Sequence, residues 1–489
     1  MTTRRLRVAV IGAGAAGLCC ARHLLSRPLA FEPPVVFETS GQVGGTWVYT
    51  EGDSNQHSSM YRDLRTNLPK EIMEFPDFSF AASLPSFIHH AEVLRYLEEY
   101  TDRFGVRPHI RFNCCVTSVA PVLGDGDSSR VPWDVTSHAR GEAHPVTQRF
   151  DAVMVCVGHY SHPYVPDIAG FETFRGKILH SHFYRYPEVF SSRNVVLLGA
   201  GPSGVDIAVE LAAHARKVTL SHRGPRLQWA PPSNVTLAPP VVRATAHSLI
   251  CEDGTQLEAD TMIFCTGYKY NYPFLVPEED DGMEGMQHLV SNGVEKEAEG
   301  LLEPLKDSKA DDELNKEGFE LCNKLSNMGL LDDELTMPDA GQGHLPPLYK
   351  HLIHARYPTL CFIGACKIVV PFPLFHCQAL FCLAALEGKC PLPSPERMLS
   401  ESREEFRRHL RSGVHPKYLH RLEANQWDYN QWLAETAGFE PLPPVLKKMY
   451  ESCRQFRNIN PVLYRDYKFD VVNREECRVS AAPSADAQV

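Results

Sequence analysis

Two glycine-rich turns limit what this chain can fold into more than any other feature. Gly12-Ala13-Gly14-Ala15-Ala16-Gly17 and Gly199-Ala200-Gly201-Pro202-Ser203-Gly204 begin 187 positions apart, each between a short apolar run and a helical pattern. The first glycine of such a turn permits the tight reversal, the second lets backbone approach a pyrophosphate, and the third lets helix and strand pack closely. The helix that follows offers free N–H groups and the positive end of its dipole to phosphate oxygens. One such turn can be merely structural. Two, each with strand and helix in place, predict two dinucleotide sites in one chain.

The strands that follow the two turns end differently. Val35-Val36-Phe37 ends in Glu38, placed to accept hydrogen bonds from a ribose diol, and Gly44-Gly45-Thr46-Trp47 comes soon after. That segment resembles what FAD-binding domains of the glutathione-reductase type set against their cofactor, although Trp47 could equally be a core aromatic. The second site has Lys217–Leu220 followed by Ser221-His222-Arg223. A hydroxyl and a guanidinium there would bind a 2′-phosphate, where an acid would repel it, so NADPH is expected over NADH. A solvated strand end is the plainer reading of Arg223.

The runs Val8–Gly14, Val153–Gly158, Val195–Gly201, Met262–Gly267 and Leu360–Gly364 are short, β-branched and closed by glycine. Such runs suit parallel strands buried on both faces, with ligands at their carboxyl ends. The expected class is therefore α/β, with two Rossmann-like dinucleotide-binding domains and the NADPH domain inserted into a discontinuous FAD domain. The first part of the FAD domain would span 1–188 and the NADPH domain 189–345. The second part of the FAD domain would be 346–460, followed by a C-terminal tail over 461–489. At 489 residues, with 43% hydrophobic and 22% charged, the chain has material for such cores.

Charge and cysteine usage narrow the partners. A formal charge of −11 gives no support for a nucleic-acid or anionic-membrane surface. Most of it comes from residues 278–339, with 19 Asp/Glu against 5 Lys/Arg. This stretch reads as an acidic surface insertion, or more sharply as a docking segment for a basic partner. The 15 cysteines form no C-x-x-C, so buried or free thiols are expected, with no metal site and no redox dithiol. The basic start, Met1 to Arg7, leads into an apolar run that reads as a first strand and not as a cleavable signal. Ile368–Leu386 is the nearest thing to a membrane span, but Pro371, Pro373, His376 and Gln378 interrupt it and suggest protein interior. A cytoplasmic protein with a disordered end over Ser480–Val489 is the default, and a homodimer is left open.

Between the two turns stands Phe174-Arg175-Gly176-Lys177-Ile178-Leu179-His180-Ser181-His182-Phe183-Tyr184, which matches FxGxxxHxxxY. In this the chain resembles the flavin-containing monooxygenases; Baeyer–Villiger monooxygenases carry a variant that ends in Trp. Leu64–Lys70 with Phe75-Pro76-Asp77-Phe78 resembles that family's active-site loop, Cys265-Thr266-Gly267-Tyr268 its ATGY block, and Pro347–His351 its strand returning to the FAD domain. The resemblance covers roughly 7–275 and 345–455 and is nearest to shorter members such as plant S-oxygenases and insect N-oxygenases. Two departures stand out. The acidic stretch has no counterpart, and His376 occupies a position where many relatives have Glu.

The resemblance implies FAD and NADPH as cofactors and a small amine or sulfide with O2 as substrates. It also implies N- or S-oxygenation by way of a C4a-hydroperoxyflavin. Carried over by position, Asn67 is the residue expected beside flavin and oxygen, its amide donating a hydrogen bond without adding charge; an Asn that only holds its loop is the alternative. Tyr184 and His180 are expected to pack or hinge the domains. Three rival readings stay open. They are a Baeyer–Villiger enzyme, a disulfide reductase lacking its cysteine pair near Gly44, and a flavoprotein limited to NADPH oxidation or to binding.

Overall fold

The computed structural model describes residues 4–51, 58–123, 130–224, 231–275, 345, 347–414 and 418–481; the acidic stretch 278–339 lies outside them. Strand β1 (Val8–Ile11) is buried along its whole length, which is why it reads as an unbroken apolar run. Helix α1 (Ala15–Leu25) follows at once, and β2 (Val35–Phe37) returns parallel to β1 in the register Ala9↔Val35 and Ile11↔Phe37. After α2 (His90–Arg103), the edge strand β3 (Ile110–Arg111) adds beside β2. An antiparallel layer of three strands comes next: β4 (Cys114–Pro121), β5 (Trp133–Ala139) and β6 (Val146–Phe150). Strand β7 (Ala152–Val155) then pairs with the free side of β1.

A second sheet is built from the middle of the chain. It comprises β8 (Lys177–His180), β9 (Asn194–Leu198), β10 (Lys217–Ser221), β11 (Val235–Ala238) and β12 (Thr261–Phe264), with α3 (Pro202–Leu211) after β9. All its pairings are parallel, in the order β11-β10-β9-β12-β8. Strand β8 corrects the expected division at residue 188. It lies before that point in sequence, yet it pairs with β12 from Lys177↔Thr261 to His180↔Phe264. Its four residues carry no glycine signal of their own, so only pairing reveals which sheet they join.

The chain then rejoins the first sheet. Strands β13 (Leu348–Tyr349) and β14 (Ile353–His354) are antiparallel, and β15 (Leu360–Phe362) lies parallel to β7. The seven-stranded order is β13-β14-β15-β7-β1-β2-β3. Helix α4 (Pro371–Leu386) packs on α1 and α5 (Gln426–Ala437), and α6 (Val445–Ile459) leads to the hairpin β16 (Tyr467–Val471) and β17 (Cys477–Ala481).

One face of the seven-stranded sheet is covered by α1, α2 and α4, through residues such as Leu18, Leu24, Tyr96, Leu97, Phe372 and Phe381. The other face packs on the antiparallel layer, where Trp133 Nε1 donates to Thr359 Oγ1 at 2.9 Å. The apolar segment ending at Leu386 is α4, and it is buried protein interior. Among the described residues no helix is long and apolar enough to cross a membrane. No described cysteine is in a disulfide.

The stretch 461–481, expected to be tail, is folded. Phe469 is buried against Ile72, Phe87 and Met449, and Tyr467 stacks on Phe456 with ring centroids 4.3 Å apart. Alternating Tyr467 and Phe469 supply the apolar face that holds this hairpin in place. Ser480 and Ala481, at the start of the expected disordered end, sit in β17.

Candidate active site at the two glycine turns

At the first turn the backbone itself forms the site. Gly12 has φ +103°, and a Cβ there would stand 2.7 Å from the carbonyl oxygen of Cys156 on β7's far end. A Cβ on Gly17 would stand 1.9 Å from the Gly12 carbonyl oxygen, so only glycine lets α1 pack this close. Gly14 caps α1 in extended conformation with no side-chain hydrogen bond, so the first N–H groups of the helix, from Ala15, Ala16 and Gly17, lack intrahelical partners. Gly45 (φ +55°) faces Gly14 backbone to backbone, a Cβ on one being 3.0 Å from the other's Cα. Thr46 Oγ1 meets Ser59 Oγ at 3.3 Å, and Trp47 sets its edge on Phe372 with ring centroids 6.4 Å apart. Glu38 accepts from the Ala13 N–H at 2.7 Å and the Ser40 N–H at 2.8 Å. The acid is thus fixed beside the turn, where a ribose diol would meet it. Unpartnered N–H groups, a backbone-only cradle and an adjacent carboxylate fit a dinucleotide.

The second turn repeats the geometry. Gly199 has φ +110° with the Cys265 carbonyl oxygen 2.6 Å from a would-be Cβ, and Gly204 would meet the Gly199 oxygen at 1.9 Å. A Cβ on Gly201 would meet nothing within 4 Å, so the approach to α3 is open. Pro202 opens the helix where its missing N–H costs nothing, and Ala200 and Ser203 flank the turn. Ser221 already has protein partners. It is buried, its hydroxyl donating to the Pro239 carbonyl at 2.8 Å and accepting from the Val241 N–H at 3.1 Å. Both hydrogen-bonding roles are taken by the loop after β11. Arg223 is exposed, which leaves the guanidinium as the expected partner of a 2′-phosphate.

Asn67 lies between these turns in the chain's logic, on a loop held from three sides. Thr66 exchanges hydrogen bonds with Ile88, its N–H donating to the carbonyl at 2.8 Å and its Oγ1 accepting at 3.1 Å. Arg465 donates to the Thr66 carbonyl at 3.0 Å and the Arg65 carbonyl at 3.3 Å, while its third nitrogen reaches Asp206 of α3 at 2.6 Å. Cys453 Sγ lies 3.7 Å from the Asn67 carbonyl oxygen. The Asn67 amide itself has no hydrogen-bond partner among the described residues. Its loop is held through Thr66, Arg465 and the Asn67 carbonyl, with the Asn67 side chain taking no part among the described residues.

At the carboxyl ends of β7 and β15, where ligands meet such sheets, two further groups stand ready. His159 Nδ1 donates to the Gly364 carbonyl at 3.1 Å, leaving Nε2 buried without a partner, and burial pushes this imidazole down to about 3. Lys367 has no carboxylate against it among the described residues. Its Nζ lies 4.0 Å from the Tyr270 ring centroid and 3.5 Å from the Tyr268 carbonyl oxygen, and burial lowers it to about 8. Gln378 holds the adjoining turn by accepting from the Gly364 N–H at 2.9 Å.

Comparison with known proteins decides the family. A family described as FMO-like, flavin-binding monooxygenase-like, matches residues 5–229. The flavin-containing monooxygenase FMO GS-OX-like 4 of Arabidopsis thaliana is 32% identical over 488 residues, spanning 95% of this chain and 94% of its own. The chain belongs to the flavin-containing monooxygenase family. It is an FAD- and NADPH-dependent oxidoreductase of the monooxygenase type. The solved S-allyl-L-cysteine S-oxygenase from Allium sativum superposes with TM-score 0.75 at 29% identity, over 95% of this chain and 96% of that one. Cyclohexanone monooxygenase shares the fold with TM-score 0.55 at 17% identity, over 89% of this chain and 98% of that one.

Within this flavin-containing monooxygenase the FxGxxxHxxxY residues all do structural work. Gly176 has no room for a Cβ, with Phe174 at 2.5 Å and the Asp260 carbonyl at 2.7 Å. His180 Nδ1 accepts from the His182 N–H, so Nε2 carries the proton and donates to the Gly267 carbonyl at 3.0 Å. Burial holds this imidazole down to about 4. Tyr184 is fully buried and donates to Glu210 of α3 at 2.7 Å, while Tyr61 donates to Asp206 on the same helix. Phe75, expected near the active site, lies in an aromatic core, 4.9 Å from Phe372 and 4.6 Å from Tyr100 between ring centroids. Reading the sequence also missed Arg185, which follows the motif directly and donates to Thr50, Ser58, His182 and Tyr184 carbonyls. Arg465, His159 and Lys367 had no motif around them to mark them.

Proposed function

We propose that this monooxygenase places one oxygen atom of O2 on a soft sulfur or nitrogen of a small molecule, sulfur first. The overall balance is substrate, O2, NADPH and a proton giving oxygenated substrate, NADP⁺ and water. Bound FAD, reduced by NADPH, supplies the electrons that activate dioxygen. The observation that carries the reading is the Asn67 loop: an uncharged amide with no hydrogen-bond partner among the described residues, on a loop that Arg465 links to Asp206 of α3. The first turn's N–H groups and Glu38 would hold FAD, with Gly45, Thr46 and Trp47 beside it. The second turn and Arg223 would hold NADPH. The Asn67 amide would donate to a developing oxygen anion, and His159 and His180, kept neutral by burial, would add no positive charge. The S-oxygenase likeness over nearly the whole chain supports sulfur over ketone chemistry.

The test uses FAD-loaded protein, NADPH, ¹⁸O2 and S-allyl-L-cysteine or methimazole, with product, NADPH consumption and hydrogen peroxide all measured. One labelled oxygen in the product per NADPH consumed supports the proposal. Ester from a cyclic ketone, with no sulfoxide, would favour Baeyer–Villiger chemistry; peroxide alone would leave an NADPH oxidase. Asn67→Ala should keep NADPH-driven flavin reduction and lower product formation by about 10²–10³, as loss of one donor to a developing oxyanion does, with peroxide rising in step.

A further inference from the structure

Helix α1 presents its N-terminus to the first glycine turn, and further along it carries a second set of chemistry. Cys19 and His23 are four residues apart and so share one face of the helix. They are buried, at 0% and 4% exposure. Helix α4 crosses that face and brings His376 against them. His23 Nε2 lies 3.1 Å from His376 Nδ1, with the rings 4.8 Å apart and nearly perpendicular. The Cys19 sulfur and one nitrogen from each imidazole all lie within 4.8 Å of one another. We propose that Cys19, His23 and His376 bind one thiophilic divalent cation of the zinc class, clamping α1 to α4.

The donor set is the first support. One thiolate and two imidazoles suit zinc and exclude the hard cations that need oxygen. Spacing is the second. Two nitrogens about 2.0–2.1 Å from a tetrahedral zinc stand roughly 3.3 Å apart, close to the 3.1 Å here, so the sulfur must move inward and the two rings must turn their lone pairs toward one point. His376 is partly buried, whereas Cys19 and His23 are buried.

Without metal the same contact is a hydrogen bond. Arg22 Nη1 lies 3.2 Å from His23 Nδ1, and a bond there would place the His23 proton on Nε2, facing His376. Loading a cation moves that proton to Nδ1, releases Arg22 and expels the Cys19 proton to solvent. Arg22 keeps other partners, Asp77 at 2.7 Å and the Phe104 ring. Asp77, ion-paired with Arg22, adds negative charge near Cys19. Metal binding is read directly, so the test needs no turnover.

Zn²⁺ alone is added to chelator-treated, FAD-loaded full-length protein, which is then gel-filtered. Metal content and zinc-edge X-ray absorption are measured, and retained FAD shows that each sample is folded. The expected result is one zinc per chain with a single sulfur neighbour at about 2.3 Å and nitrogens at about 2.0 Å. Cys19→Ser should lose the sulfur neighbour, and His376→Asn should weaken binding at least about tenfold. Wild-type protein that retains no zinc would overturn the proposal without recourse to the variants. So would a sulfur neighbour that survives in Cys19→Ser.

Discussion

Arg223 is exposed at the end of β10, next to a serine whose hydroxyl is spent on Pro239 and Val241. On the proposed reading, the Arg223 guanidinium recognises the 2′-phosphate of NADPH. A charge-assisted hydrogen bond to phosphate is worth about 1.5–3 kcal/mol. Arg223→Ala should accordingly raise the NADPH KM roughly ten- to a hundredfold and leave the NADH KM in place, read by initial-rate kinetics with both cofactors. Equal shifts for the two would remove Arg223 from 2′-phosphate recognition, whereas Ser221→Ala should act on stability alone. Glu210 gives a second residue-level outcome. Burial, partly offset by the Tyr184 hydrogen bond, raises its carboxyl to about 7 from 4.5. The folded chain then holds a proton between pH 4.5 and 7 that the unfolded chain has lost, so this group's contribution to stability falls as pH rises through that window. Glu210→Gln removes the cost and still accepts from Tyr184. It should stabilise the protein by about 1–2 kcal/mol at pH 8, the shift being discounted for partial solvation, and hardly at all at pH 4, as denaturant midpoints would show.

Helices α1 and α3 begin in the same way, and the glycine five residues into each turn is the most restrictive position of either. Gly17 and Gly204 each present their Cα to a carbonyl that a methyl group would reach at 1.9 Å. On the proposed assignment of FAD to the first turn and NADPH to the second, the consequences of adding that methyl differ. Gly204→Ala should push α3 off β9 and abolish flavin reduction by NADPH, while FAD stays bound and dithionite still reduces it. Gly17→Ala should instead cost FAD itself, seen as loss of the visible flavin absorbance after gel filtration. A Gly204→Ala protein still reduced by NADPH at the wild-type rate would mean that the second turn is not the nicotinamide site.

At the scale of the whole molecule, Arg465 joins parts far apart in sequence: the Asn67 loop, the second sheet through Asp206 on α3, and the folded C-terminal stretch. Arg465 and Asp206 are 13% and 21% exposed, so removing one partner leaves a poorly solvated charge. Arg465→Ala should cost about 3 kcal/mol of stability and slow NADPH-driven flavin reduction, because loop and sheet lose their common tie. Arg465→Lys should recover little, since one ammonium cannot reproduce a planar fork of three bonds. A double-mutant cycle with Asp206→Asn would show no coupling if the contact were incidental.

The nucleotide-binding character of this chain was legible in its residues, because it depends on local requirements. A glycine that must turn, one that must yield space and an acid at a strand end are imposed within a few positions. The same holds for FxGxxxHxxxY, though its residues proved to brace the fold. What the sequence could not show depends on distant partners. Strand β8 chose the second sheet by pairing with β12, 84 positions later counted from Lys177 to Thr261. The Ser221 hydroxyl met Pro239 and Val241, and Arg465 reached the Asn67 loop only when the chain end folded back. Cys19, His23 and His376 share no motif, since 353 positions separate the two histidines. Backbone conformation is written locally by steric limits; the meeting of side chains is decided by which hydrophobic faces pack together.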